Sequence, residues 1–433
     1  MAQDEIPTGK IDRASRFLKT GLRMGGNYMR HVGKKALLQP STSDDLDRAN
    51  GQAILEEFTK LRGTALKMAQ MLSMDSVNLS QAFTNVLQQA QSSVPPMSAP
   101  MAINTFKKSV GKYPEEVFDR FNPLAVAAAS MGQVHEAWKD GRRLAVKVQY
   151  PGVAESIQSD MAIVKRFAPT FVKASAKEME PYFEEVESKL LEETDYTYEL
   201  ASSMAFKDAC QDLPGVEFPD YFPEYSGKRV LTMSWLEGLH LRPFLDENPS
   251  QALKNQVAQT VWDLYEHQVH VLKRVNADPH PGNFLFRLDG TVGLLDFGCT
   301  KTFSGAVYDD YFKLADPNLY NDPQTTDAAL RKLSIIREDD TPERLAYLTP
   351  LFARLIQLMS KPLSLGEFYF GDESYYEEVA ALGKEIAKLR EVRGSKEYLF
   401  INRTFFGLFS IMRALDAHVV TKSKYLQFDP VAA

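Results

Sequence analysis

Residues 277–298 read ADPHPGNFLFRLDGTVGLLDFG. Asp289-Gly290 is a two-residue turn signal between the apolar runs FLF and VGLL. The chain therefore folds back on itself as a hairpin, which returns Asp296 to the neighbourhood of Asn283 and Asp278. Two carboxylates and an amide oxygen at one hairpin base form a cluster of hard oxygen donors. Mg²⁺ takes such ligands and keeps its remaining positions for water and phosphate. Without a cation the like charges repel in a partly desolvated site.

The spacing is specific. Asp278-x₄-Asn283 followed by Asp296-Phe297-Gly298 is the order of a protein-kinase catalytic loop and its metal-binding triplet. A site of that kind needs a lysine on a strand to hold phosphates. LAVKVQ supplies Lys147, flanked by Ala145, Val146 and Val148. A lysine in a buried strand requires an acid partner, and TDYTYELA offers Asp195 and Glu199. The loop ahead of that strand should cover the phosphates. It is not glycine-rich here: it reads Ala127, Ala128, Ala129, Ser130, Met131, Gly132. Alanine is less free at positive φ than glycine, so a stiffer loop is expected.

The chain has 433 residues, more than one compact core usually needs. Hydrophobic content of 44% and charged content of 25% are ordinary for a globular protein. A net charge of −7 argues against a nucleic-acid binder. The two cysteines, Cys210 and Cys299, have neither pairing nor metal spacing, which suits a reducing compartment. The apolar run at 399–417 is broken by Arg403 and Arg413, so no membrane-spanning helix is expected. The start, MAQDEIPTGK, has no apolar core and carries early acids, unlike a secretory or transit peptide.

Residues 10–35 carry eight Lys or Arg against the single acid Asp12. Ile11, Ala14, Leu18, Leu22, Met29 and Val32 recur at helical steps, giving one apolar face. Such a helix suits an anionic membrane surface, or packs on its own domain with a solvated basic face. A polar linker at 41–49 leads to a helical stretch at 50–92, broken by SSVPPMSAP at 93–100. RRLAVKVQ reads as a strand, 152–210 as helical, and 216–235 as two short strands joined at Ser226-Gly227. A helix is expected over 250–275, and mostly helices beyond 305. The order predicts an α+β protein of two lobes.

These residues together resemble the UbiB family of atypical kinase-like proteins, which supports ubiquinone biosynthesis. The resemblance rests on AAASMGQVH, AVKVQYPGV, EETDYTYE, ADPHPGNF and LLDFG, in that order. LRGTALKMAQMLS is similar to the family's K-x-G-Q helix, with Lys67 and Gln70 in place and Ala69 where the family has glycine. Asn276 stands where the family has His before A-D-P. The resemblance implies a protein-kinase-like two-lobed α+β fold with an added N-terminal helical extension. It divides the chain into a basic segment (1–40), the extension (41–115), an N-lobe (116–236) and a C-lobe with C-terminal helices (237–433).

By position, Lys147 is implied to contact phosphates and Glu199 to pair with it. Asp278 takes the catalytic-loop aspartate position, and Asn283 and Asp296 the metal-ligand positions. Ala127, Ala128, Ala129 and Ser130 would lie at the nucleotide. Glu193 and Asp195 match the E-x-D pair that Lys67 and Gln70 meet from the extension, over the place a peptide substrate would occupy. ATP and Mg²⁺ are the implied cofactors, bound in an interlobe cleft. No A-P-E follows Gly298; CTKTFSGAVYDDYF runs straight into a helix, which counts against phosphorylating proteins. The expectation is an ATPase-type atypical kinase, cytoplasmic and peripheral on a membrane, supporting quinone or isoprenoid-lipid metabolism. Its partners would be a lipid or quinone precursor, an anionic membrane surface and lipid-biosynthesis enzymes, with no nucleic acid. A small-molecule phosphotransferase and a nucleotide-sensing scaffold are the alternatives.

Overall fold

The computed structural model describes residues 96–129, 131–171, 176–389, 391–395, 398–426 and 428. The basic segment 10–35, the stretch 41–92 with Lys67, Ala69 and Gln70, and Ser130 lie outside the described residues. The chain divides into two compact units. One is Met1–Ala201 with Asp220–Trp235, the other Ser202–Pro219 with Leu236–Ala433.

In the first unit, helix α1 (Ala99–Val110) precedes strands β1 (Arg120–Phe121), β2 (Ala127–Ala129), β3 (Gly132–Lys139) and β4 (Arg142–Gln149). Helices α2 (Val153–Phe171), α3 (Ala176–Glu193) and α4 (Tyr196–Cys210) follow, α4 continuing past Ala201. Strand β5 (Val216–Glu217) belongs to the second unit, and β6 (Val230–Ser234) completes the first unit's sheet. The order is β1-β3-β4-β6 with β2 beside β3, all antiparallel.

Strand β4 is covered on both faces. Leu144, Val146 and Val148 are buried on one, Lys147 and Gln149 on the other, as the β-branched run predicts. Strand β3 buries two polar side chains, Gln133 and His135, and both are satisfied. Their Nε2 atoms lie 2.9 Å apart, Gln133 Oε1 accepts from Met97 N at 2.8 Å, and His135 Nδ1 lies 3.0 Å from Asn122 O. Burial lowers the His135 pKa, which favours a neutral ring. Gly132 opens β3 where a Cβ would lie 2.4 Å from Val148 O, so only glycine lets β3 and β4 approach there.

The expectation of two strands joined at Ser226-Gly227 is met in part, and the first strand is shorter than expected. Those two residues do turn, with Gly227 N donating to Val230 O at 2.8 Å. Residues 220–222 also run back antiparallel beside β6, with a bridge between Tyr221 and Met233, Phe222 N donating to Thr232 O at 3.0 Å and Ser234 N to Asp220 O at 2.8 Å. Val216–Glu217 pairs in parallel with a strand of the second unit instead. Pro219 and Pro223 explain the break: proline donates nothing to a ladder, and Pro223–Tyr225 winds into a 3₁₀ turn.

In the second unit, helix α5 (Gln251–Glu266) continues as a π-helical turn, His267–Val271. The expected helix to 275 ends there, because Arg274–Asn276 forms strand β7. Strands β8 (Phe284–Phe286) and β9 (Val292–Leu294) form the hairpin, in register Phe284↔Leu294 to Phe286↔Val292, with β5 beside β9. Its loop is longer than the two residues expected. Arg287 N donates to Thr291 O at 3.0 Å and Gly290 N to Arg287 O at 3.1 Å. Gly290 closes the loop at φ 91°, where a Cβ would also lie 2.0 Å from Gln256 Nε2.

Strand β10 (Thr300–Thr302) pairs with β7, and helices α6 (Gly305–Phe312), α7 (Pro323–Lys332), α8 (Pro342–Ser364), α9 (Glu373–Ala387) and α10 (Leu399–Ala414) follow. The helical reading beyond 305 misses one feature: β11 (Glu367–Tyr369) pairs with β12 (His418–Val420). Leu330, Leu348, Phe352, Leu358 and Leu382 form a core among α7, α8 and α9.

At the edge of that core Arg393 grips Asp340 with both terminal nitrogens, each 2.7 Å from a carboxylate oxygen. That hydrogen-bonded guanidinium holds the Asp340 pKa down to about 2. A depressed carboxylate stabilises the fold above its unfolded pKa, and the contribution fades as pH falls through the folded one. Asp340→Asn should therefore cost about 2–4 kcal/mol at pH 7. Urea denaturation should show the gap from the parent shrinking between about pH 4 and pH 2. A gap constant across that window contradicts the assignment.

Candidate active site

A buried ion pair marks the first unit. β4 lies between β3 and β6, with Lys147 opposite Val134 and Leu231. Lys147 Nζ reaches Glu199 Oε1 at 2.7 Å, with side-chain exposures of 9% and 3%. Of the two acids that sequence reasoning offered, Glu199 is thus the partner found. The ammonium also lies 5.0 Å from the centre of the Tyr196 ring.

Asp195 does a different job. Its Oδ1 accepts from Thr197 N at 3.0 Å and from Thr197 Oγ1 at 2.6 Å, at the first turn of α4. This is helix capping, and it fixes the helix that carries Glu199. Gln149 Nε2 donates to Thr194 O at 2.9 Å, which ties β4 to the start of α4. Glu193 is buried at the end of α3. Lys67 and Gln70, which the resemblance implies should meet it, lie outside the described residues.

The expected loop at Ala127–Ala129 is a strand. Its register is Ala127↔Val134, Ala128↔Gln133 and Ala129↔Gly132. Alanine stays in extended backbone where glycine would be free to leave it, so the three residues continue the ladder instead of forming an open loop.

The second unit holds Asp278, Asn283 and Asp296. The hairpin brings Leu295 N to Asn283 O at 3.0 Å, placing Asp296 beside the residue that starts the hairpin. Asn276 ties the two acidic segments together. Its Oδ1 accepts from Asp278 N at 3.1 Å, and its Nδ2 donates to Asp296 O at 2.7 Å. Gln268, in the π-helical turn, accepts from Asn276 N at 2.8 Å. Phe297 is fully buried, with its ring 4.9 Å from that of Phe206 and 5.8 Å from that of Phe218. That anchor holds the triplet, and Gly298 N donates to Asp296 Oδ1 at 2.8 Å.

Asn283 Nδ2 donates to Asp278 O at 2.9 Å, which turns the amide oxygen away from that bond as the atom offered to a cation. An oriented amide oxygen and a nearby carboxylate fit Mg²⁺, which takes one or two protein ligands and leaves the rest to phosphates and water. Among the described residues no group of three or more His, Cys, Asp or Glu forms a metal cage.

Sequence reasoning missed Arg403. It registered only as a break in an apolar run. In the structure its Nη2 lies 2.7 Å from Asp278 Oδ1, and the two side chains are 1% and 9% exposed. The available signal was the charge itself, since a cation inside an apolar helix face needs a partner.

Residues 89–325, more than half of the chain, match the family described as the ABC1 atypical kinase-like domain. The chain belongs to the ABC1 family. This is the UbiB grouping that its motifs resemble. A Dictyostelium discoideum relative named "Probable serine/threonine-protein kinase abkA" is 25% identical, over 96% of this chain and 78% of its own. "Atypical kinase COQ8, mitochondrial" of Saccharomyces cerevisiae is 28% identical, over 86% and 73%. "Atypical kinase COQ8B, mitochondrial" of Rattus norvegicus is 27% identical, over 97% and 80%.

Among solved structures, the Rv3197–erythromycin complex from Mycobacterium tuberculosis superposes with a TM-score of 0.57 at 23% identity. It covers 84% of this chain and 91% of that one. The fold of this ABC1 chain is accordingly kinase-like α+β. No helix among the described residues is long and apolar enough to cross a membrane.

A buried ion pair broken on one side leaves an uncompensated charge. Glu199→Leu alone should cost about 3–5 kcal/mol of stability, while Lys147→Met with Glu199→Leu recovers most of it. Chemical denaturation of both variants checks this. A single variant as stable as the parent contradicts the pairing.

Proposed function

We propose that this chain binds Mg-ATP and turns it over by ATPase-type chemistry, in support of quinone or isoprenoid-lipid metabolism at a membrane surface. The observation that carries the reading is the Asn283 amide, oriented by its bond to the Asp278 carbonyl and set one hairpin register from Asp296. In this reading Lys147, kept in place by Glu199, holds phosphate oxygens, and Asn283 with Asp296 holds Mg²⁺. Bound Mg²⁺ supplies charge neutralisation on the triphosphate. Asp278 orients the attacking water. Such sites act mainly by positioning and electrostatics.

The segment after Gly298 bears on the acceptor. Thr300–Thr302 pairs at once with β7, and Ser304 caps α6, its Oγ accepting from Val307 N at 3.3 Å. Little chain remains there to build a peptide-docking loop, which favours hydrolysis or a small acceptor over a protein substrate. The lipid side rests on the UbiB resemblance and on the basic amphipathic segment 10–35, whose charge suits anionic lipid.

Phosphate release from Mg-ATP, measured with and without anionic liposomes and small phenols that mimic quinone precursors, tests the reading. Turnover should rise with both additions. Asp296→Asn should lower it by about 100-fold or more. Deleting residues 1–40 should remove the liposome increment alone. Turnover unchanged in Asp296→Asn removes the metal role. A phosphorylated phenol in place of free phosphate identifies a small-molecule phosphotransferase, and nucleotide binding without any phosphate release identifies a scaffold.

A further inference from the structure

Helix α10 is apolar on its inner face, with Phe400, Ile401, Leu408, Ile411 and Met412 all at 1% exposure or less. Arg403 sits in the middle of that face, equally buried, and its guanidinium meets Asp278 Oδ1 at 2.7 Å across 125 residues of sequence. Desolvating both ions is expensive, and well-packed apolar residues often serve stability as well or better. Packing therefore does not account for the pair.

Asp278 is held by its backbone as well. Its N–H goes to Asn276 Oδ1, and its carbonyl accepts from His280 N at 2.7 Å and from Asn283 Nδ2. These three bonds fix the main chain. None of the three sets the rotation of the carboxylate about its own side-chain bonds. Arg403 holds one carboxylate oxygen, and a planar guanidinium restricts direction as well as distance.

We infer that Arg403 is a positioning residue. It aims the Asp278 carboxylate, and so governs the rate of phosphoryl transfer and not the affinity for nucleotide. This rests on the proposed Mg-ATP turnover. Arg403 acts through the Asp278 carboxylate that its guanidinium grips, while the cation is assigned to Asn283 and Asp296.

The test is a double-mutant cycle in the full chain. Phosphate release, affinity for fluorescent Mg-ADP and thermal midpoint are measured for Arg403→Met, Arg403→Lys, Asp278→Asn and Asp278→Asn with Arg403→Met. Arg403→Met should lose about 10–100-fold in turnover with nucleotide affinity within about twofold. Arg403→Lys should recover part of the loss. On the Asp278→Asn background, Arg403→Met should add nothing. If Arg403→Met does not fold, Arg403→Lys takes its place in the cycle.

The inference is overturned if turnover survives Arg403→Met, if affinity falls in step with turnover, or if the loss repeats in full on the Asp278→Asn background. A parent protein that turns over no ATP overturns the proposed function and this inference together. An active parent with unaffected Arg403 variants overturns the inference alone.

Discussion

One amide side chain joins the two acidic segments on which the site depends. Asn276 accepts from the backbone of Asp278 and donates to the backbone of Asp296. If that bridge moves, the acids move with it. The bridge is itself anchored by Gln268, which sits in a π-helical turn. A π turn inserts extra backbone relative to an α-helix and rotates the chain beyond it. Here it ends the long helix and delivers the chain to β7, whose last residue is Asn276. The amide, with one donor and one acceptor atom, makes both contacts at once.

Charge is the second constraint. Each unit buries an ion and gives it a partner within the same unit: Lys147 with Glu199, and Asp278 with Arg403. Neither ion would remain buried alone, because the desolvation penalty exceeds what a marginally stable fold can absorb. Both partners come from helices remote in sequence from the ions they meet. The same rule operates away from the site, where Arg393 and Asp340 brace the loop between α7 and α8.

Local chemistry made much of this legible in the sequence. Turn residues between short apolar runs announced the hairpin, and a β-branched run announced β4 and the need of Lys147 for an acid. The features that escaped are non-local or depend on one residue more or less. β5 pairs in parallel with β9 more than 70 residues later, and nothing in two residues of sequence encodes that choice. Three alanines read as a loop because their place calls for glycine, yet extended backbone suits them and β3 offered a partner. The hairpin loop was judged from Asp289-Gly290 alone, whereas the bond between Arg287 and Thr291 sets its length. Arg403 was visible only as an interruption, because its meaning lies in a carboxylate 125 residues away.

In the proposed reading, Asn283 and Asp296 offer a divalent ion too few donors to retain it without a polyphosphate. Nucleotide and cation should therefore bind as one. Isothermal titration calorimetry of a non-hydrolysable ATP analogue, with and without Mg²⁺, measures this directly. The account predicts affinity at least about tenfold tighter with Mg²⁺, and loss of that increment in Asn283→Ala. Equal affinity in the two conditions, or an increment that survives Asn283→Ala, would contradict it.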